Sequence, residues 1–177
     1  MSFAIVTDSS SNLPEDIIDQ HDLTVLPLTF MVDGEEYRSY LKGEKTDLSQ
    51  FYTMMREGKV ITTSLPNLKE SRESIEALLR EGRDVLYLGF SSGLSGTYQA
   101  IELLLTELAG LYPDRTVASV DTLAASLGEG LLVYYAAKMR EEGASIEKVR
   151  DWVEEHKLHL AHWFTVDDLM FLFRGGR

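Results

Sequence analysis

Val85-Leu86-Tyr87-Leu88-Gly89-Phe90-Ser91-Ser92-Gly93-Leu94-Ser95-Gly96-Thr97-Tyr98 is the stretch that decides the fold. Val85 to Phe90 is an apolar run of strand length. Ser91 to Gly96 is a turn of small residues. Leu94, Tyr98, Ile101, Leu105 and Leu108 then recur at helical spacing. Strand, tight turn and helix in direct succession is the unit from which α/β domains are built.

The same alternation runs outward in both directions. Toward the N-terminus, Phe3 to Thr7 reads as a strand, Asp8 to Asn12 as a turn cluster, and Pro14 opens a short helix. Leu23 to Val32 reads as one second strand, apolar on both faces and so covered on both sides. Asp33-Gly34 is a hairpin-type turn. Glu35 to Thr46 is polar and without a pattern. Asp47 caps a helix through Glu57, and Val60 to Ser64 is extended up to Pro66. Asn67 caps a helix to Glu81, with Glu70 placed to close a capping box and Gly82 ending it. Toward the C-terminus, Thr116 to Val120 is a strand and Leu123 to Glu142 a long helix. Ser145 caps another helix to His156. His159 to Phe164 is expected as a last strand and Asp167 to Phe173 as a short helix. The expected fold is α/β, a mostly parallel sheet flanked by helices.

Composition narrows the class of function. The 177 residues form about one domain, and 44% apolar with 26% charged residues is globular. No cysteine is present, which excludes disulfides and thiolate sites and fits a cytoplasmic protein. The net charge of −12 repels phosphate backbones and anionic lipid, so nucleic acid is not an expected partner. No run of about 18 apolar residues spans a membrane, and Met1 to Ile5 lacks the basic and apolar regions of a signal peptide.

Parallel sheets bind ligands beyond the carboxyl ends of their strands, so the turns there carry the functional expectation. Gly89 to Thr97 packs three serines, one threonine and three glycines into nine positions before a helix. Backbone N–H groups at a helix start and nearby hydroxyls favour an anion. A plain tight turn with helix-capping serines is the alternative, but the hydroxyl density exceeds what one cap needs. Thr62-Thr63-Ser64-Leu65-Pro66-Asn67 repeats the arrangement before another helix. Alone that segment reads equally as a cap or a binding site; together the two segments are expected to converge on one carboxylate or phosphate. Neither holds a lysine and no P-loop pattern occurs, so a carboxylate suits them better than a nucleoside triphosphate.

A catalytic alternative stands beside this one. Gly89-Phe90-Ser91-Ser92-Gly93 matches the G-x-S-x-G elbow of serine hydrolases, with Ser91 as nucleophile, Asp121 as acid, and His156, His159 or His162 as base. Against it, the chain is short for that fold and has no HGGG-type oxyanion segment. His156, His159 and His162 are not expected to make a metal site, since, if Leu158 to Phe164 is a strand, His159 and His162 point to opposite faces. Asp8 lacks the second carboxylate, two residues on, that a phosphatase aspartate needs. It reads as a turn-forming, hydroxyl-orienting residue.

Val6-Thr7-Asp8-Ser9-Ser10-Ser11-Asn12-Leu13, Val25-Leu26-Pro27-Leu28, Thr63-Ser64-Leu65-Pro66, Ser91-Ser92-Gly93-Leu94-Ser95-Gly96-Thr97-Tyr98-Gln99, Val120-Asp121-Thr122, Val166-Asp167-Asp168-Leu169 and Arg174-Gly175-Gly176-Arg177 follow one another across the chain. In this order and spacing they resemble the DegV family of bacterial fatty-acid-binding proteins. The resemblance implies a carrier and not an enzyme, with a long-chain fatty acid as ligand and no other cofactor. It implies a carboxyl group held by Thr62 or Thr63 and Ser92 or Ser95, with Ser64, Ser91 and Thr97 in the same two segments. It implies presentation of the acid to a fatty acid kinase, with Arg174 and Arg177 in the partner-contact region. Residues 1–165 correspond to the lipid-binding lobe and 166–177 to the start of the inter-lobe segment of a longer family chain, whose second lobe is absent from this sequence. Leu65 stands where the family carries glutamine, which implies one polar contact fewer. A single lobe is expected to expose apolar tunnel surface and so to self-associate through that face.

Overall fold

The computed structural model describes residues 3–40, 42–43, 47–166 and 168–174. Its centre is a four-stranded parallel sheet made of β1 (Ala4–Asp8), β2 (Leu23–Leu26), β6 (Val85–Gly89) and β7 (Val117–Asp121), in the order β2-β1-β6-β7. Successive strand residues point to opposite faces, and each face is apolar. Ile5, Leu86, Leu88 and Val120 pack against α1 (Glu15–Gln20), α5 (Ser126–Glu141) and α6 (Ile146–His156), through Ile18, Leu132, Val133, Ala136, Val149 and Val153. Ala4, Val6, Val85 and Tyr87 pack against α3 (Leu68–Arg80) and α4 (Thr97–Leu111), through Ile75, Leu79, Ile101, Leu105 and Leu108. The mostly parallel sheet flanked by helices is therefore as expected.

The segment Leu23 to Val32 is not one strand. It divides at Pro27 into β2 in the parallel sheet and β3 (Thr29–Val32) in a second, antiparallel sheet of order β4-β3-β5, with β4 at Glu35–Arg38 and β5 at Ile61–Ser64. Proline has no N–H to continue a ladder. Leu28 instead donates its N–H to Ser9 Oγ (2.9 Å) and accepts from Ser39 N–H (2.8 Å), which turns the chain out of the parallel sheet. The β3–β4 hairpin closes on Asp33 (φ 51°) and Gly34 (φ 92°), the two left-handed positions of a type I′ turn. Phe30 stacks on Tyr37 across the hairpin at 5.4 Å and meets Phe51 of α2 (Leu48–Arg56) edge-on at 5.2 Å.

The capping residues act where the sequence places them. Asp47 accepts from Gln50 N–H, Asn67 from Lys69 and Glu70 N–H, and Ser145 from Lys148 N–H. Glu70 departs from the expected capping box and pairs with Arg38 of β4, an opposite charge within its reach. The expected strand His159–Phe164 is absent. Lys157–His159 forms a 3-10 turn, and residues 160–166 run without regular structure. An isolated strand leaves its backbone groups unpaired, and none of the described strands lies beside this segment. The last helix, α7, spans Leu169–Arg174.

A second 3-10 turn, Ser9–Ser11, follows β1 and lies directly on α5. Gly130 makes that approach available: a Cβ there would stand 2.5 Å from Ser11 O. Gly130→Ala is expected to lower unfolding free energy by about 1–3 kcal/mol through overpacking, more than alanine's helix propensity returns. Urea unfolding checks this; a midpoint at or above wild type would mean that the turn does not press on α5.

Candidate functional site

The carboxyl ends of β1, β6 and β7 are laced together by polar groups. Asp8, fully buried at the end of β1, accepts four hydrogen bonds. Oδ1 takes Ser10 N–H (3.0 Å) and Ser10 Oγ–H (2.5 Å); Oδ2 takes Tyr87 O–H (2.8 Å) and Phe90 N–H (3.0 Å). Asp8 is thus the hydroxyl-orienting residue that its sequence context implies. At β7, Thr122 Oγ donates to Gly89 O (2.7 Å), Ala124 O accepts Ser91 N–H (3.0 Å), and Asp121 Oδ1 accepts the N–H groups of Ser92 (3.2 Å) and Leu123 (3.1 Å). Leu123 and Ser126 hold left-handed φ values of 51° and 52°, a local strain of about 1–3 kcal/mol each carried beside this turn.

Within the serine turn the hydroxyls divide by role. Ser91 is buried, its Oγ accepts Gly93 N–H (3.3 Å), and its carbonyl accepts Leu94 and Ser95 N–H. Ser95 Oγ accepts Thr97 N–H (3.2 Å), and the Ser95 and Thr97 hydroxyls lie 2.9 Å apart. These three hold the turn and start α4. The Ser92 hydroxyl makes no hydrogen bond to a described residue.

The antiparallel sheet brings the second hydroxyl segment to this turn. Leu65, just past β5, lies against Gly96, where a Cβ would stand 3.8 Å from Leu65 Cδ2. Thr29 of β3 anchors the junction, bonding Ser64 Oγ and donating to Leu65 O (3.2 Å). The β3–β5 register pairs Thr29 with Ser64, Phe30 with Thr63, and Met31 with Thr62. Thr62 and Ser64 therefore share one face with Thr29, while Thr63 shares the other with the apolar Phe30 and Ile61. Thr62 and Thr63 are exposed, and neither hydroxyl bonds a described residue.

The residues of the hydrolase alternative are not assembled into a triad. Ser91 and Asp121 lie at one sheet end, but among the described residues no histidine is hydrogen-bonded to either. His156 Nδ1 meets Trp152 O (2.9 Å), His159 packs edge-on against His156, and His162 rests over Gly128 at the start of α5. Arg174 closes α7, and Arg177 lies outside the described residues.

Three groups escape a sequence reading. Glu129 of α5 is fully buried, taking Thr7 Oγ–H at Oε1 (3.1 Å) and lying 2.6 Å from Ser10 Oγ at Oε2. Burial, with the Asp8 charge second, pushes its carboxyl up to about 9. Tyr87 is raised well above the ordinary phenol by burial and by Asp8. Lys157 reaches Asp121 O with its Nζ (2.9 Å), bringing a cation to this sheet end. In sequence Glu129 looks like any solvated helix residue, and only the fold shows that it is buried.

Residues 2–177 match the family model described as "Uncharacterised protein, DegV family". A DegV domain-containing protein of Clostridium perfringens is 45% identical over 175 residues, 99% of this chain and 60% of its own. A solved DegV family structure from Thermus thermophilus, described by its fatty acid binding, has TM-score 0.86 and 37% identity, covering 100% of this chain and 61% of that one. The structure of DegV from Bacillus subtilis, described as a fatty acid binding protein, has TM-score 0.83 and 29% identity, covering 100% of this chain and 61% of that one. The chain thus spans about 60% of the length of such relatives.

Asp8 depends on Tyr87 for one of its buried bonds. Tyr87→Phe is expected to cost about 1–3 kcal/mol, since a hydrogen bond to a buried charge is lost without a replacement. Urea unfolding measures it, and a change below about 0.5 kcal/mol would show that the bond adds nothing to stability.

Proposed function

The chain belongs to the DegV family, and on that premise we propose that it binds a long-chain fatty acid by its carboxyl group and presents that group to a fatty acid kinase. The observation that carries the reading is the seam between the two sheets. Leu65 and Gly96 bring together the two segments that carry the hydroxyls of Thr62, Thr63 and Ser92, none of which bonds a described protein group. Ser64, Ser91, Ser95 and Thr97 hold those segments in shape. Thr63 stands on the face of Phe30 and Ile61, so a carboxyl group on Thr63 would leave its tail over apolar side chains.

The energetics match a lipid with an acid head. A chain of about sixteen carbons has about fourteen methylenes, roughly 11 kcal/mol of gross burial at about 0.8 kcal/mol each when enclosed. Each charge-assisted hydroxyl bond adds about 1.5–3 kcal/mol. The tail supplies affinity, and the hydroxyls select the acid and set its direction. Neutral donors suffice for one negative charge. The kinase would meet the C-terminal segment that Arg174 and Arg177 belong to.

Trp163 (95% exposed), Phe164 (84%), Leu158, Leu169 and Phe173 give that segment an apolar surface. It supports self-association through this face when no further lobe covers it.

Native mass spectrometry of the freshly purified protein, followed by solvent extraction, is expected to release one fatty acid per chain. Thr63→Ala and Ser92→Ala are each expected to raise the Kd for that acid about ten- to hundredfold, the worth of one such bond, with thermal unfolding unchanged. Wild-type affinity in both variants would remove the hydroxyls from the site.

A further inference from the structure

Asp8 and Glu129 lie on opposite sides of the parallel sheet. Asp8 follows the parity of Ala4 and Val6, toward α4, where Tyr87 meets it. Glu129 comes from α5 on the other side and receives Thr7, whose parity is that of Ile5. Ser10, in the turn above the end of β1, bridges them. Its Oγ is 2.5 Å from Asp8 Oδ1 and 2.6 Å from Glu129 Oε2.

A serine hydroxyl has one proton to give. It cannot satisfy two carboxylate oxygens at once, and an ionised oxygen 2.6 Å from the hydroxyl's lone pairs would be repelled. One carboxyl must therefore bring its own proton. Asp8 already accepts from three other donors, Ser10 N–H, Tyr87 O–H and Phe90 N–H, so both of its oxygens act as acceptors. Glu129 has one other, from Thr7, and no exposed surface.

We propose that Glu129 is held as the neutral acid and donates to Ser10, that Ser10 donates to Asp8, and that this relay positions the serine turn for the ligand carboxylate. Asp8 is the link to the turn, because its Oδ2 holds Phe90 N–H, the residue before Ser91. Asp8, Ser10 and Glu129 are positioning residues; none is assigned contact with the ligand. The positioning half rests on the fatty-acid reading above, and the protonation half does not.

Burial and the Asp8 charge act in the same direction, raising the Glu129 carboxyl from 4.5 to about 9. The titratable groups facing it are Asp8 from β1 and Tyr87 from β6; α6 meets α5 through Val149 and Val153. The folded-state value lies above the unfolded one. The stability tied to the neutral form is therefore whole below 4.5 and is lost progressively as pH rises to about 9.

Three measurements on the full chain test the proposal. At pH 7 ordinary carboxyls are ionised, so infrared spectroscopy is expected to show a protonated-carboxyl carbonyl band in wild type, shifted in D2O and absent from Glu129→Gln. Thermal unfolding of wild type is expected to fall relative to Glu129→Gln as pH rises toward about 9, because glutamine keeps a donor for Ser10 and cannot ionise. Binding of cis-parinaric acid to delipidated protein is expected to be within twofold of wild type in Glu129→Gln and weakened about tenfold in Ser10→Ala. Ser10→Cys, a poorer donor, replaces Ser10→Ala should that variant unfold. A missing band, or one that survives Glu129→Gln, overturns the neutral acid. A folded Ser10 variant with wild-type affinity overturns the positioning role. A wild-type protein that has the band and binds no acid removes the fatty-acid reading and the positioning role, while the neutral Glu129 stands.

Discussion

Asp8 ends β1 with no exposed surface and four donors aimed at its two oxygens. A buried carboxylate is costly unless its lone pairs are met, so the elements that supply the donors are not free to shift independently. Tyr87 ties the neighbouring strand to it, Phe90 the entrance of the serine turn, and Ser10 the turn above the sheet. The parallel sheet would form from its apolar strands without Asp8. The polar architecture at its carboxyl end would not hold one geometry.

Two sheets divide the labour. The parallel sheet is buried on both faces and supplies a rigid floor through Ile5, Leu86, Leu88 and Tyr87. The antiparallel sheet hangs from it at Pro27-Leu28 and delivers exposed hydroxyls from β5. Their seam is narrow: Thr29 holds the end of β5, and Leu65 meets Gly96. A Cβ at position 96 would meet Leu65 Cδ2 at 3.8 Å, an ordinary packing distance, so the two segments touch there without a clash.

On the proposed reading, an acidic chain that receives an anion must keep negative charge away from the receiving groups. The chain carries a net charge of −12, yet the groups at the serine turn are hydroxyls and backbone N–H. Asp121 is turned onto two backbone N–H groups and backed by Lys157 at its carbonyl. On the proposed relay Glu129 adds no charge. Among the described residues Asp8 and Glu129 are the buried acidic side chains, and Asp8 is met by four donors.

By itself the sequence determined the alternation of strands and helices, the Asp33-Gly34 hairpin turn, and the caps at Asp47, Asn67 and Ser145. These are local, because turn residues, caps and hydrophobic period act over a few residues. It also marked both hydroxyl segments, since small polar residues crowd at strand ends. Tertiary structure decided what depends on distant partners. Leu23 to Val32 reads as one apolar run interrupted by Pro27, and the bonds of Leu28 to Ser9 and Ser39 show that it serves two sheets. His159 to Phe164 has strand composition, but a strand exists only where a neighbour accepts its hydrogen bonds. Thr62 and Thr63 are adjacent in the chain, and only the β3–β5 register sends them to opposite faces. Glu129 becomes part of the site because Gly130 lets the Ser9–Ser11 turn descend onto α5, a contact between residues 119 apart in the chain.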